Sequence, residues 1–317
     1  MSDLVVVEGL GHRYGSRVAL ESVSFVVRAG EFFGLLGPNG GGKTTLFRIL
    51  TTLLPSSAGK ATICGHDALR YRDEVRRRIG VVFQSPSLDL YLSARENLRH
   101  AGRLYGLSGR TLETRLESLL DRFGLADRAD DLVRALSGGM RRRVEIAKGM
   151  LHEPSLLILD EPSTGLDPSA RRELWSVLEG LRDRTGVTIL LTTHFLEEAE
   201  HCDRLAILDR GRLVACGSPA ELKARVGGDC IRVDCERPDE LARSVSSRLG
   251  IEATVVDGQL RVETRDGPAL VGRLMSEFGG EVRAITLGKP TLEDVFIHET
   301  GHRFELADVV NAVGEKP

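Results

Sequence analysis

A glycine-rich segment near the start of the chain limits its possible folds more than any other feature. It reads Gly37-Pro38-Asn39-Gly40-Gly41-Gly42-Lys43-Thr44 and fits the pattern G-x-x-x-x-G-K-[S/T]. An apolar run typical of a strand, Glu31–Leu36, precedes it, and a stretch typical of a helix, Lys43–Leu54, follows it and ends at Pro55. This order predicts a phosphate-binding loop in a parallel α/β sheet. The alternative is a glycine-rich turn that binds nothing, which the flanking strand and helix disfavour.

The residue types in this loop suit a phosphate ligand. Glycines let backbone N–H groups curve around phosphate oxygens, and the start of the helix adds positive potential. Lys43 is expected to reach the β- and γ-phosphates of a nucleotide, and Thr44 to offer its hydroxyl to Mg²⁺.

A pair of acidic residues ends a second apolar run. Leu156–Leu159 is followed directly by Asp160 and Glu161. Carboxylates at the carboxyl end of a buried strand in an open α/β sheet lie where ligands bind. Asp160 is expected to serve the metal ion, and Glu161 to face the γ-phosphate and position water as a general base. The alternative for the pair taken alone is a strand that ends in a solvated acidic turn.

The succession of strand-like and helix-like segments predicts two domains. Up to residue 227, apolar runs such as Thr188–Thr192 and Leu205–Asp209 alternate with helices, which predicts a mostly parallel sheet preceded by an antiparallel portion. At about 100–200 residues per domain, 317 residues accommodate a second, smaller domain. The predicted domains are residues 1–227 and 228–317.

The second domain has its own order of elements: strand, helix, two strands, helix, strand. This is the plan of a ferredoxin-like fold. Asp257-Gly258 is a strong signal for a two-residue hairpin turn between its middle strands. A further helix is expected to begin near Thr291. The last dozen residues carry no strong pattern and are expected to be loosely held.

Composition and charge exclude several classes of protein. The chain has 43 Lys+Arg and 46 Asp+Glu, a net charge of -3 and a pI near 6.3, which is unlike the basic domain of a dedicated nucleic-acid binder. No apolar stretch approaches the roughly 18 residues of a membrane span, and the start shows no signal peptide. The five cysteines form no CxxC pair and are expected to be reduced thiols of a cytosolic protein.

Further motifs follow in an order that resembles the ATP-binding subunits of ABC transporters. Leu136-Ser137-Gly138-Gly139-Met140, which opens an arginine-rich helix, resembles the family's LSGGQ signature. Gln84, at the end of VVFQ, matches the loop glutamine that contacts the membrane subunit. The other matches are Tyr14 in HRYG, Ser163–Asp167 as the D-loop and His194 in LTTH as the switch histidine. Each motif alone is weak, but their coincidence in order along residues 4 to about 225 is strong.

The resemblance implies a fold, a reaction and a set of site residues. The fold is α/β, a P-loop ABC nucleotide-binding domain with an antiparallel β subdomain and a helical subdomain, followed by a small C-terminal α+β domain. The reaction is hydrolysis of ATP with Mg²⁺ in a head-to-tail homodimer, in which the signature of one copy faces the γ-phosphate held by the other. The implied catalytic residues are Glu161, His194, Lys43 and Gln84, and the implied metal ligands are Thr44, Gln84 and Asp160. The implied nucleotide contacts are Tyr14, Gly37, Pro38, Asn39, Gly40, Gly41, Gly42, Lys43, Thr44, Thr45, Ser137, Gly138 and Gly139.

Two positions depart from the family pattern. Met140 stands in place of the signature glutamine, and Gly41 stands where alanine or serine is usual. The Ser-Gly-Gly core is intact, so ATPase activity is still expected. The arginines that follow, Arg141–Arg143, are interpreted as a solvated helix face, with contact to acidic groups at the dimer or membrane-subunit surface as the alternative.

The C-terminal run Pro290–Phe296, followed by Thr300-Gly301, is similar to the ending of ATPases of the ABC-2 export group, which includes the daunorubicin-resistance type. The resemblance therefore implies an ATPase that powers export of a small hydrophobic molecule, drug, lipid or polysaccharide. Its expected partners are integral membrane permease subunits of the ABC-2 type, with no nucleic acid, and its expected place is the cytoplasmic face of the membrane. Residues 228–317 are expected to be an accessory domain for regulation or dimerisation.

Three other kinds of ABC ATPase lack a transport role. ABC ATPases of DNA repair carry a long coiled coil between the phosphate loop and the signature, and the interval from Lys43 to Leu136 is too short for one and has no sustained heptads. Translation-type members carry two tandem ATP-binding domains, and one set of motifs is present here. A soluble regulatory ATP-binding module remains as the alternative.

Overall fold

An antiparallel sheet opens the chain in the computed structural model, which describes residues 2–304. Its strands are β1 (Asp3–Tyr14), β2 (Arg17–Arg28), β4 (Ala58–Ile63) and β5 (His66–Asp67), in the order β2-β1-β4-β5. Alternate residues of β1 and β2, such as Val5, Val7, Phe25 and Val27, are buried, which is the pattern of a sheet with one face on the core. Strand β1 ends at Tyr14, which pairs with Arg17 at the start of β2.

A second, six-stranded sheet holds the segments that carry the sequence motifs. Its strands are β3 (Phe32–Leu36), β6 (Ile79–Val82), β7 (Leu156–Asp160), β8 (Thr188–Thr193), β9 (Arg204–Asp209) and β10 (Arg212–Gly217), in the order β10-β9-β3-β8-β7-β6. The pairs that join β9, β3, β8, β7 and β6 are parallel. Every residue of β3 and β7 is buried, as in a sheet covered on both faces. Because parallel strands end at one edge, the residues that follow β3, β7 and β8 meet there.

Helices follow these strands and cover the sheet. They are α1 (Lys43–Leu50), α2 (Arg72–Arg76), α3 (Ala94–Leu104), α4 (Gly109–Arg122), α5 (Gly138–Met150) and α6 (Pro168–Thr185), with short 3-10 turns at Ala126–Arg128 and Val133–Ala135. Helix α1 ends at Leu50, one turn before the predicted Leu54. Helix α4 buries Leu112, Leu116, Leu119 and Leu120 in the core of this region. The fold class expected from the sequence is confirmed.

The C-terminal region has the ferredoxin-like strand order. Its elements are α7 (Leu196–Ala199), α8 (Pro219–Val226), β11 (Asp229–Cys235), α9 (Pro238–Leu249), β12 (Thr254–Val256), β13 (Gln259–Thr264), α10 (Gly267–Phe278), β14 (Val282–Gly288) and α11 (Leu292–Thr300). The sheet is antiparallel with the order β12-β13-β11-β14, so β13 lies between the two strands that α9 connects. The predicted hairpin turn is present, with φ of 49° at Asp257 and 73° at Gly258.

Helix α11 begins where the sequence predicts and buries a carboxylate. Thr291 is its N-cap and forms a capping box with Asp294, which is fully buried. Asp294 also lies 3.6 Å from the guanidinium of Arg261 and 3.5 Å from that of Arg232. These contacts tie α11 to β11 and β13. The last dozen residues, expected to be loosely held, lie outside the described residues.

Contacts between Cα atoms divide the chain into two units. The first runs to His194 and includes Cys202–Leu213, and the second holds Phe195–His201 and the described residues from Val214 on. Helices α7 and α8 belong to the second unit because both pack against α11. The boundary between residues 227 and 228 therefore stays a sequence-based prediction. Within residues 2–304, no helix has both the length and the apolar character needed to cross a membrane.

Candidate nucleotide site

The glycine-rich loop joins β3 to α1, as the sequence predicts. Gly42 is the residue before α1 and has φ of 107°. A Cβ there would lie 2.8 Å from a methyl carbon of Leu20 and 2.9 Å from the carbonyl oxygen of Ala19, so only glycine fits. Because α1 begins at Lys43, the N–H groups of its first turn lack partners inside the helix and are available to an anion.

A cleft of about 260 Å³ opens beside this loop. Among the residues predicted to contact nucleotide, those that line it are Tyr14, Pro38, Asn39, Gly40, Gly42, Lys43, Thr44 and Thr45. Gly37 and Gly41 are buried in the loop beneath. Arg17 and Arg48 also line the cleft and were not predicted, although Arg17 follows the Tyr14-Gly15 turn closely. The two arginines add positive charge to a cleft that suits a polyphosphate.

Tyr14 offers an aromatic face at the mouth of the cleft. Its side chain is 44% exposed, and the ring of His12 meets it edge-on at 4.6 Å between centroids. An exposed tyrosine beside a polar cleft is suited to stacking on a planar ring, and the contact from His12 limits its motion.

Lys43 is buried at the centre of the site. Its Nζ donates hydrogen bonds to the carbonyl oxygens of Gly37 at 2.7 Å and Pro38 at 3.1 Å, and lies 3.5 Å from Oε1 of Glu161. Burial lowers the pKa of Lys43, while the charge of Glu161 opposes that shift. The ammonium group therefore sits between the loop and the predicted base.

Glu161 is the residue on which the predicted catalytic residues converge. Its Oε2 accepts hydrogen bonds from Gln84 Nε2 and Thr164 Oγ1, each at 3.2 Å, and lies 3.1 Å from His194 Nδ1. Burial alone raises the pKa of Glu161, but the contact with His194 and the charge of Lys43 outweigh it, so the pKa lies below its usual value. The group is thus an ionised carboxylate at neutral pH and can accept a proton.

Asp160, the predicted metal ligand, is a buried carboxylate. It is 5% exposed, and its Oδ1 accepts a hydrogen bond of 2.6 Å from Thr192 Oγ1. Burial raises the pKa of this carboxyl, and the Thr192 hydrogen bond only partly opposes the shift. With the predicted ligands Thr44 and Gln84, Asp160 would supply the oxygen donors that Mg²⁺ prefers. Within residues 2–304, no cluster of three or more His, Cys, Asp or Glu has metal-site geometry.

The signature residues stand apart from the cleft. Ser137 is the N-cap of α5 and accepts a hydrogen bond from the backbone N–H of Met140, while Gly138 and Gly139 form the first helical turn. Among the described residues, the lining of the cleft does not include these three. Met140 packs against the hydrophobic core. Ser137 and Gly138, at the start of α5, are exposed.

The interpretation of Arg141–Arg143 as a solvated face is wrong for Arg142. This side chain is 6% exposed, and its guanidinium lies among the main-chain carbonyl groups of Phe83 and Asp160–Pro162. The sequence offers no apolar periodicity that would mark this arginine as buried, because its partners are backbone groups of distant segments.

Comparisons with known proteins agree with the motifs. A family model described as ABC transporter matches residues 20–164, and one described as ATP-binding protein DrrA1-3-like, C-terminal domain, matches residues 217–300. The chain is 42% identical over 304 residues to the daunorubicin resistance ATP-binding protein DrrA3 of Streptomyces coeruleorubidus, which covers 94% of this chain and 96% of that protein. It is also 42% identical over 305 residues to the Nod factor export ATP-binding protein I of Ralstonia nicotianae, with 94% of each chain covered.

Solved structures give the same result for the fold. The ATP-binding cassette MJ0796, solved as a dimer in a post-hydrolysis state with ADP and Pi, superposes with a TM-score of 0.61 at 27% identity. The match covers 68% of this chain and 98% of that one.

Proposed function

Because the chain belongs to the family of ABC transporter ATP-binding subunits, we propose that the cleft beside Lys43 is where it hydrolyses ATP to drive an exporter. The observation that carries this assignment is the position of Glu161. Its carboxylate contacts Gln84, Thr164 and His194 on one side and Lys43 on the other. A base held in this way, next to the lysine of a phosphate loop, is arranged to position a water molecule for in-line attack.

Each residue of the site has its own role in hydrolysis. Lys43 and the N–H groups at the start of α1 bind the phosphates and stabilise the charge that develops on them. Glu161 orients the water and takes its proton, and His194 holds the carboxylate in place and reaches toward the γ-phosphate. Tyr14 stacks on the adenine ring, which the exposed ring at the mouth of the cleft permits.

Mg²⁺ fits the same site. The residues that would hold it are Thr44, Gln84 and Asp160, and Thr192 orients the Asp160 carboxylate by its hydrogen bond. When bound with ATP, the ion neutralises charge on the β- and γ-phosphates. The amide nitrogen of Gln84 donates to Glu161, which leaves its amide oxygen for the ion.

We infer that two copies act together, head to tail. The signature residues Ser137, Gly138 and Gly139 begin a helix of 13 residues, and they do not line the cleft of their own chain among the described residues. A helix N-terminus with glycines allows close approach of a phosphate. The cassette MJ0796, which is dimeric with ADP and Pi, supports the proposal that two copies associate.

The relatives' names support a role in export. One is named for daunorubicin resistance and the other for Nod factor export. We propose that this chain works at the cytoplasmic face of the membrane with permease subunits of the ABC-2 type, and that its cargo is a small hydrophobic molecule, drug, lipid or polysaccharide. The alternative, a regulatory ATP-binding module, lacks any such partner.

Co-expression with a candidate ABC-2 permease tests the proposal. We expect the two chains to co-purify in detergent and inverted membrane vesicles to accumulate daunorubicin only when both chains and ATP are present. Vesicles with the permease alone are the control. ATP hydrolysis by a chain that never associates with a permease would favour the regulatory module.

The C-terminal domain, predicted as residues 228–317, is proposed to support assembly rather than hydrolysis. It has a separate hydrophobic core that includes Ile231, Leu260 and Phe278. A chain that ends at Gly227 should retain ATP binding, measured by calorimetry, but lose dimer formation or permease association in gel filtration. Full assembly and transport by the shortened chain would contradict this role.

A further inference from the structure

Arg142 uses every donor of its guanidinium group. Nε donates to the carbonyl oxygen of Pro162 at 2.7 Å, and Nη2 donates to those of Asp160 at 3.1 Å and Glu161 at 3.4 Å. Nη1 donates to the carbonyl oxygen of Phe83 at 2.7 Å and to Oε2 of Glu145 at 2.8 Å. An arginine has five N–H donors in a rigid fork, and all five are satisfied here.

Glu145 completes the contact on the same helix. It is 5% exposed, one turn after Arg142 on α5, and pairs with it at 2.8 Å. Its other oxygen, Oε1, accepts a hydrogen bond of 2.7 Å from the backbone N–H of Ser87. The buried pair therefore forms hydrogen bonds with the backbone on both sides of Gln84, at Phe83 and at Ser87.

The turn that Arg142 holds is in a strained conformation. Glu161 has φ of 43°, which a residue with a side chain rarely adopts. Such a conformation persists only where surrounding contacts impose it. At Glu161 the carbonyl oxygen accepts from Arg142, and the N–H donates to Thr192 Oγ1 at 2.9 Å. These two hydrogen bonds fix the backbone on both sides of the residue whose carboxylate faces Lys43.

We propose that Arg142 is a positioning residue that couples the start of the signature helix to the catalytic turn. Arg142 lies four residues after Gly138, so a displacement of the start of α5 moves the guanidinium directly. Through the four of its hydrogen bonds that reach these segments, the same displacement moves the backbone at Asp160–Pro162 and at Phe83, and with it Glu161 and Gln84. Engagement of the signature by a phosphate is thereby communicated to the base within the same chain. The inference rests on the proposed role of Glu161 as the base.

Arg142→Lys tests the proposal with the least disturbance. Lysine keeps the positive charge beside Glu145 but has one nitrogen in place of a fork, so it cannot hold the carbonyl groups on both segments. We expect kcat for ATP hydrolysis to fall roughly 10- to 100-fold, the scale of a misplaced catalytic group, with little change in the Kd for ATP. Amide hydrogen exchange should rise in residues 158–164 and 83–88 and stay unchanged in the phosphate loop. A fall in ATP affinity that parallels the fall in kcat would overturn the proposal.

Arg143→Lys is the matched control. Arg143 is the next residue of α5, and it contacts the carbonyl oxygen of Phe123 and the carboxylate of Glu173. The same substitution there should leave kcat and the exchange of both segments unchanged. If Arg142→Lys yields no folded protein, the double variant Arg142→Gln with Glu145→Gln removes both buried charges together. It should likewise lower kcat while leaving the Kd for ATP nearly unchanged.

A double-variant cycle shows whether Arg142 acts through Glu161. In a chain that already carries Glu161→Gln, adding Arg142→Lys should change the residual rate by less than about twofold, because the group being positioned is gone. An equal fall in both backgrounds would overturn the proposal. Failure of the proposed base shows as normal turnover of Glu161→Gln alone, whereas failure of the present inference shows as normal turnover of Arg142→Lys alone.

Discussion

Glu161→Gln should lower the rate of ATP hydrolysis by roughly two to four orders of magnitude and leave ATP binding intact. The amide has nearly the same shape as the carboxylate, so its oxygen can still accept from Gln84 and Thr164. It cannot take a proton from water, because an amide is not a base at neutral pH. The bound but unhydrolysed ATP should accumulate a closed dimer, provided that the signature of a second copy contacts it.

Phosphate release and equilibrium binding of ATP measure the two halves of this prediction, and gel filtration with ATP measures the dimer. Glu153→Gln is the matched control, since Glu153 is also a glutamate with positive φ, 55°, and pairs with Arg115 away from the site. Its rate should equal that of the unaltered chain. Near-normal turnover of Glu161→Gln would mean that Glu161 is not the base and that another group takes the proton.

The sequence predicts the centre of this site well because parallel strands end at one edge. Lys43, Glu161 and His194 each follow a buried strand, and the structure places Lys43 Nζ 3.5 Å and His194 Nδ1 3.1 Å from the Glu161 carboxylate. The apolar runs that form these strands are continuous, since both faces of the sheet are covered. The apolar pattern of the sequence therefore identifies both the strands and the sheet edge at which these residues lie.

The support beneath the site could not be predicted in the same way. Arg142 looks like one of three arginines on a polar helix, and its burial depends on carbonyl groups of residues 83 and 160–162 that only the folded chain brings to it. The short pair β4 and β5 escaped prediction for a related reason. Its sequence, from Ala58 to Asp67, has few apolar residues, and β4 is stabilised by pairing with β1 rather than by its own pattern.

The C-terminal domain contains some features that the sequence predicts and others that it does not. Its strand order and hairpin follow from local signals such as Asp257-Gly258. The buried contact between Asp294 and Arg261 joins a helix to a strand that lies far earlier in the chain. Charged residues suggest a surface when they are seen alone, so a buried pair of this kind becomes visible only in the structure.

Lys43→Ala should weaken ATP binding by roughly 10- to 100-fold, because a hydrogen bond to a charged group contributes about 1.5–3 kcal/mol. The lysine also holds the loop through the carbonyl oxygens of Gly37 and Pro38, so the loss includes some of the loop's order. The exposed Lys60 of β4 supplies the control, and Lys60→Ala should bind ATP as the unaltered chain does.

Thermal unfolding with and without ATP separates this loss of affinity from a general loss of stability. A ligand at about 100 times its Kd stabilises the native state by about 2.7 kcal/mol, and at a concentration equal to Kd by only about 0.4 kcal/mol. At an ATP concentration about 100 times the Kd of the unaltered chain, the Lys43→Ala chain should therefore lose at least about half of the stabilisation that ATP gives the unaltered chain. Without ATP, the variant loses the hydrogen bonds of Lys43 but no longer has to bury an ammonium group, whose desolvation lowers its pKa in the unaltered chain. The second effect offsets part of the first in the free energy of unfolding. An undiminished stabilisation by ATP in the variant would mean that Lys43 does not bind the phosphates.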